Sequence, residues 1–244
     1  MLPYKGDKFK HKLHADNSRT TTAVFPTSPL QRLSRYTIGM KFCLDTNIFF
    51  SFEIGVDLGK NPHEVMDLLS KAQAHTPAIT YLMTPGIVAE MESMFETKDK
   101  PALHAFLSKV SIKTPPLGEM SVPAMVFDQF ISEGRKRSSD GLHIADETLV
   151  KAVELAHSKP ATSRIEIQKS LQQPKESLRS RYRNATRTGY LDSSADFGLI
   201  MLALNEKATL ITADEGVALW GQKLGVVEMS GAVFGHAIRQ AAGS

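Results

Sequence analysis

Cysteine is almost absent from this sequence, with Cys43 the only one in 244 residues. A lone thiol excludes an internal disulfide and any cysteine-built zinc cluster, and it fits a reducing, cytoplasmic setting. No apolar run approaches the roughly 18 residues that a membrane span needs, so the chain reads as soluble and without a membrane partner. His63, His75, His104, His143, His157 and His236 show neither H-x-H nor H-E-x-x-H spacing, which leaves a histidine-based zinc site unsupported. No glycine-rich phosphate loop is present either. Tryptophan occurs once, and Trp220, like Tyr182, reads as a packing group rather than a base-stacking platform.

What charge there is lies unevenly. The net value is +3, yet residues 1–39 carry Lys5, Lys8, Lys10, Lys12, Arg19, Arg32 and Arg35 against only Asp7 and Asp16. This stretch is rich in Lys, Ser, Thr and Pro and lacks apolar periodicity, so it is expected to be a flexible basic tail. A basic, acid-poor leader of this kind also mimics an organelle transit peptide. Residues 40–244 are the expected folded domain.

From Lys41 onward, short apolar runs alternate with amphipathic stretches, the pattern of an α/β fold with a parallel sheet and covering helices. Strands are expected at Lys41–Leu44, Ile79–Met83, Val110–Lys113, Ala208–Thr212 and Val226–Glu228. Asn61-Pro62 and Thr84-Pro85 open helices, since a polar cap followed by proline suits the first helical turn. Nearly a hundred residues without strand character separate the third and fourth strands, far more than one crossover needs. Helical spacing over 122–137, over 141–158 after an Asp140-Gly141 turn, and over 164–188 predicts an inserted helical hairpin at about 141–180.

The candidate chemistry is acidic. Asp45 ends the first strand and Asp214 follows the fourth, and ligands of open α/β sheets bind at that carboxyl edge. Asp192 and Asp196 precede the apolar run Phe197–Leu204 and share a face if the helix begins at or just after Asp192. Taken singly, a helix cap or a surface acid would account for each. Together, two strand-end carboxylates and a helical pair can meet at one point, where a hard divalent cation is the natural occupant. Mg2+ suits such a site, with Mn2+ as a substitute. Two cations could activate a water and stabilise the leaving 3′ oxygen of a phosphodiester. Glu90 is a fifth candidate ligand, or an ordinary helical acid beside Glu92. Thr46, Asn47, Ser193 and Thr212 flank the acids as supporting residues.

Leu44-Asp45-Thr46-Asn47, Glu90-Met91, Asp192 with Asp196, and Thr212-Ala213-Asp214 resemble, in that order, the motifs of the PIN domain. The stretch Arg181-Tyr182-Arg183-Asn184-Ala185-Thr186-Arg187-Thr188-Gly189, running into Leu191-Asp192-Ser193-Ser194-Ala195-Asp196 and followed by Asp214-Glu215-Gly216 and Trp220, is similar to the HARP family of minimal protein-only ribonuclease P. That resemblance covers the chain from about Lys41 to its end, while residues 1–39 depart from it because relatives begin near Met40. It implies a PIN-like three-layer fold with the hairpin as a protruding spike. It also implies Asp45, Asp192, Asp196 and Asp214 as catalytic metal-binding acids, and removal of the 5′ leader from precursor tRNA. Homo-oligomeric rings of dimers are implied as well, with the spikes serving in assembly and in gripping tRNA.

Arg179, Arg181, Arg183 and Arg187 lie within nine residues with no acid among them, beside the aspartate pair, where they could neutralise RNA phosphates. A solvated or intersubunit helix face is the alternative. Arg135, Lys136 and Arg137 form a second cluster, expected to be surface. Two other functions compete: a generic PIN ribonuclease acting on another RNA, and a catalytically silent RNA-binding assembly module. A haloacid-dehalogenase-like phosphatase would need an acid where Asn47 stands.

Overall fold

The computed structural model describes residues 39–50, 58–158 and 163–243. The expected basic tail therefore lies outside the described residues, except for Gly39. The chain builds a parallel sheet from β1 (Met40–Leu44), β2 (Ile79–Met83), β3 (Ser111–Ile112), β4 (Thr209–Thr212) and β5 (Glu228–Ser230). Its strand order is β3-β2-β1-β4-β5, with every pairing parallel. The path runs outward from β1 through β2 to β3, then returns to the other side of β1 for β4 and β5. The reversal makes a switch point between β1 and β4, the edge where such sheets leave a crevice for ligands.

Phe42, Cys43 and Leu44 are all buried, as a central parallel strand covered on both faces requires. Side chains alternate along a strand. Phe42 meets Phe234 edge-on, ring centroids 5.1 Å apart, on α10 (Gly231–Ala242). That helix buries Phe234, Ala237, Ile238 and Ala242, a stripe at helical spacing, and packs on α2 (Pro62–His75). Cys43 and Asp45 point to the opposite face, toward α8 (Ser194–Glu206), which packs on β1, on α3 (Pro85–Met94) and on α9 (Glu215–Lys223). The result is the expected three-layer α/β architecture. The short helices α1 (Asn47–Phe50) and α4 (Lys100–Leu107) pack against α2. None of the helices, among the described residues, is long and apolar enough to cross a membrane.

Local signals place several boundaries well. Asn61 caps α2 by accepting from the Glu64 N–H, and Thr84 caps α3 by accepting from the Ile87 N–H, each followed by proline. Such a cap contributes about 1 kcal/mol. The fifth strand begins later than the Val226–Glu228 reading. The Val226 N–H is used to close the end of α9 on the Gly221 carbonyl at 2.9 Å, past Gly225 at φ +82°, so the ladder starts beyond it.

The insertion differs most from its expected form. Helix α5 (Ala124–Ser158) runs unbroken for 35 residues straight through Asp140-Gly141, where a turn was expected. Gly141 is there for packing: a Cβ on it would stand 2.8 Å from Tyr182 Cε2 and 3.2 Å from Thr186 Cγ2. The return leg, read as one helix over 164–188, is two: α6 (Arg164–Ser170) and α7 (Gln172–Thr186). Contacts of Arg137 with Ala185 and of Glu147 with Arg181 make α5 and α7 antiparallel. Together they form an arm that begins well before residue 141. It is sparsely buried, since only Gly141 and Ile144 of α5 are enclosed. At its root, Phe130 stacks on Tyr190 at 5.1 Å and meets Trp220 edge-on at 5.3 Å, which confirms Trp220 as a packing group.

Candidate active site

Asp45 and Asp214 are brought together because β4 is hydrogen-bonded to β1. Leu44 is paired with Ile211, and the Asp45 N–H donates to the Ile211 carbonyl at 3.1 Å, so both chains leave the sheet side by side. Thr212 joins the two acids. Its hydroxyl donates to Asp45 Oδ2 at 2.6 Å and accepts from the Asp214 N–H at 3.0 Å. Asn47 adds a second tie, with Nδ2 donating to Asp45 Oδ2 at 2.7 Å and Oδ1 accepting from the Ala213 N–H at 2.9 Å. Thr46 donates more weakly to Asp45 Oδ1 at 3.3 Å.

These contacts offset part of the cost of burying a carboxylate that is only 3% exposed. Burial still pushes the Asp45 pKa above its ordinary value, opposed mainly by the Thr212 hydrogen bond. Asp214 is exposed and caps α9, with Oδ1 accepting from the N–H groups of Gly216 (2.7 Å) and Val217 (3.0 Å). Its Oδ2 has no hydrogen-bond partner among the described residues and is free for a ligand.

Asp196 sits in the first turn of α8, on the face of the sheet to which Asp45 points. Its pKa is pushed up to about 7, first by burial and then by the negative charges of Asp45, Asp214, Glu90 and Asp192. Glu90, on α3, acts in the same sense on Asp45. Five carboxylates from five segments therefore share one electrostatic neighbourhood, and every charge named as acting on Asp196 is negative. Asp192 is the outlier. Ser193 caps α8, accepting from the Ala195 and Asp196 N–H groups, so Asp192 precedes the helix and its charge is the smallest named influence on Asp196. It lies 3.6 Å from Arg187.

Among the described residues, no three His, Cys, Asp or Glu side chains stand close enough to ligate one ion directly. The donor set nonetheless fits a hard divalent cation. It is all oxygen, it is negatively charged, and the repulsion that raises Asp196 is what a dication would relieve. Mg2+ binds through one or two carboxylates and keeps several waters, so direct convergence of three side chains is not required of the metal-free geometry.

Of the four arginines, Arg181 is paired with Glu147 at 2.7 Å and holds that carboxyl below its usual range. Arg179 and Arg183 are exposed and make no ion pair among the described residues. Arg187, 71% exposed, follows the end of α7 and leans on Asp192.

A family model described as PINc domain ribonuclease matches residues 41–242. The RNA-free ribonuclease P of Thermococcus kodakarensis is 34% identical over 199 residues, covering 80% of this chain and 92% of that protein. The chain belongs to the RNA-free ribonuclease P family. Similar coverage holds for the RNA-free ribonuclease P of Thermococcus onnurineus, 34% identical over 197 residues, 80% of this chain and 92% of that protein. The corresponding protein of Thermodesulfovibrio yellowstonii is 30% identical over 186 residues, 76% of this chain and 87% of its own length. Family membership thus reaches every acid and arginine named above. It does not single out Arg137, which the sequence reading left on the surface beside Arg135 and Lys136. Its side chain is 16% exposed and folded into the arm's root, and no local signal separates it from its two neighbours.

The raised Asp196 pKa has a signed consequence. A carboxyl whose folded value lies above its unfolded one favours the fold at low pH, and that contribution is lost as pH rises from about 4 through about 7. A cation competes with the proton for the same oxygens. Added Mg2+ is therefore expected to raise the melting temperature more at about pH 8 than at about pH 5. Thermal melts of wild type and Asp196→Asn check this, and equal Mg2+ shifts at both pH values in wild type would contradict it.

Proposed function

We propose that this protein is a divalent-cation-dependent endoribonuclease that removes the 5′ leader of precursor tRNA, leaving a 5′-phosphate on the mature tRNA. The observation that carries the reading is the acidic cluster at the β1/β4 switch point, in a chain whose relatives are RNA-free ribonuclease P proteins. Asp45, Asp196 and Asp214 would hold the cation, with Glu90 and Asp192 as outer members. Bound there, Mg2+ would supply an activated water and stabilise the leaving 3′ oxygen. The chain's own part is to aim the oxygens. Thr212 and Asn47 fix the rotamer of Asp45, and the α9 cap holds Asp214 with one oxygen free.

Arg179, Arg183 and Arg187 would neutralise backbone phosphates on the substrate side of the arm. The arm also exposes Leu142, Leu149, Val150 and Val153 on α5, more apolar surface than a solvated helix needs. This supports a homo-oligomer joined through the arms, in the form of a ring of dimers.

The test is purified protein, precursor tRNA and Mg2+, with the product's 5′ end mapped at single-nucleotide resolution. The expected product begins at the first nucleotide of mature tRNA. Cleavage elsewhere, or in unrelated RNA at equal rates, would point to a general PIN ribonuclease. No cleavage, with RNA binding retained, would point to a silent assembly module.

A further inference from the structure

The connector between α7 and α8, residues 187–193, carries Asp192 but contains no helix or strand. Within it, a single turn hydrogen bond, from the Tyr190 N–H to the Arg187 carbonyl at 3.0 Å, passes through Gly189 at φ +68°. Something outside the connector must therefore hold its shape. Arg137, on α5, does so. Its Nη1 donates to the carbonyls of Ala185 (3.1 Å) and Thr188 (2.9 Å), oxygens that the end of α7 leaves without intrahelical donors. Glu133 orients the guanidinium, accepting from Nε at 3.1 Å and Nη2 at 2.6 Å. The same guanidinium lies over the Tyr190 ring, 5.0 Å from its centroid.

Tyr190 is in turn wedged between two glycines. A Cβ on Gly134 of α5 would stand 2.9 Å from its hydroxyl, and a Cβ on Gly216 of α9 would stand 2.8 Å from its carbonyl oxygen. Gly216 donates to Asp214 Oδ1. The Tyr190 backbone is thus pressed against the turn of helix that Asp214 caps, two residues before Asp192. These contacts run from the arm to the turn that Asp214 caps, and the chain itself carries them two residues further to Asp192.

We propose that Arg137 is a positioning residue for the cation site: from the root of the arm it fixes the connector so that Asp192 is held in register with Asp214. This rests on reading Asp214 as a cation ligand with Asp192 as an outer member of the same site, and adds a residue that touches neither metal nor substrate. Arg135 and Lys136, its neighbours in sequence, are exposed and reach no connector carbonyl. A lysine at 137 would keep the charge, but its single Nζ could not serve the two carbonyls and the Glu133 carboxylate at once while lying flat over a ring.

The test uses the full-length protein stripped of metal and titrated calorimetrically with Mn2+ alone, alongside hydrogen exchange of the backbone amides. Arg137→Met and Arg137→Lys are both expected to weaken Mn2+ binding about tenfold, the lower end of the range for residues that orient metal ligands. Both should speed exchange at residues 188–192 while the amides of β1 and β4 keep their protection. Arg135→Met, which removes the same charge, should leave both readouts at wild-type values. Wild-type Mn2+ affinity in Arg137→Met, full rescue by lysine, or an equal rise in exchange across the sheet would overturn the proposal. If Mn2+ binding depends on Arg137 as expected while wild type leaves precursor tRNA uncut, the substrate assignment fails and the positioning role stands.

Discussion

Asp45→Asn is expected to lower precursor tRNA cleavage by more than about a hundredfold, because residues that merely orient a metal ligand already cost 10- to 100-fold when lost. The protein should nevertheless fold as well as wild type or better. Asp45 is enclosed and its ionised form is opposed by burial and by Glu90, so a neutral amide of the same shape removes a cost. The amide oxygen can still accept from Thr212 and Asn47, and its NH2 would face the Thr46 hydroxyl. Activity and stability are then expected to move in opposite directions, the signature of a residue kept for chemistry at the expense of the fold. The check is single-turnover cleavage with saturating Mg2+ beside a denaturant titration. Loss of both activity and folded protein would show instead that Asp45 is a structural group.

Removing residues 142–180 and bridging the gap with a short Gly-Ser linker is expected to leave the domain folded and its Mn2+ binding intact. The gap is short because Gly141 and the Tyr182 ring are in contact, and the root held by Phe130, Arg137, Tyr190 and Trp220 remains. Precursor tRNA affinity should fall at least about tenfold at moderate salt, since the deletion takes Lys151, Lys169, Lys175 and Arg179 with it. Particle mass should fall as well, because Leu142, Leu149, Val150 and Val153 are lost. Light scattering and filter binding read the two effects separately. An unchanged mass would refute assembly through the arm, and an unchanged affinity would refute its contact with tRNA.

How legible these features were depended on the range of the interaction that sets them. The start of α2 at Asn61-Pro62 and of α3 at Thr84-Pro85 could be read directly, because a capping bond spans only three residues. Strand β2 was recovered as Ile79–Met83 for a related reason, being an apolar run ended by such a cap. Asp140-Gly141 reads locally as a turn, yet its glycine answers to Tyr182 across the arm, which no short window contains. Asp192 and Asp196 read as an equivalent pair four residues apart, but Ser193 took the cap between them and left Asp192 in the connector. Arg137 has the same local sequence signal as its basic neighbours, and only the connector carbonyls in front of it set it apart.

The sequence by itself determined which side chains could carry the chemistry. Carboxylates after apolar strands, in the order shared with a known family, are a property of the linear pattern, as are the caps that start the helices. Only the tertiary structure decided that these acids face one another. The Thr212 hydroxyl meets the Asp45 carboxylate across 167 positions of chain, and it does so because the path reverses after β3 and lays β4 beside β1. Strand order is a global choice, made by burying both faces of the sheet at once. The electrostatic strain on Asp196 and the grip of Arg137 on the connector exist only after that choice is made.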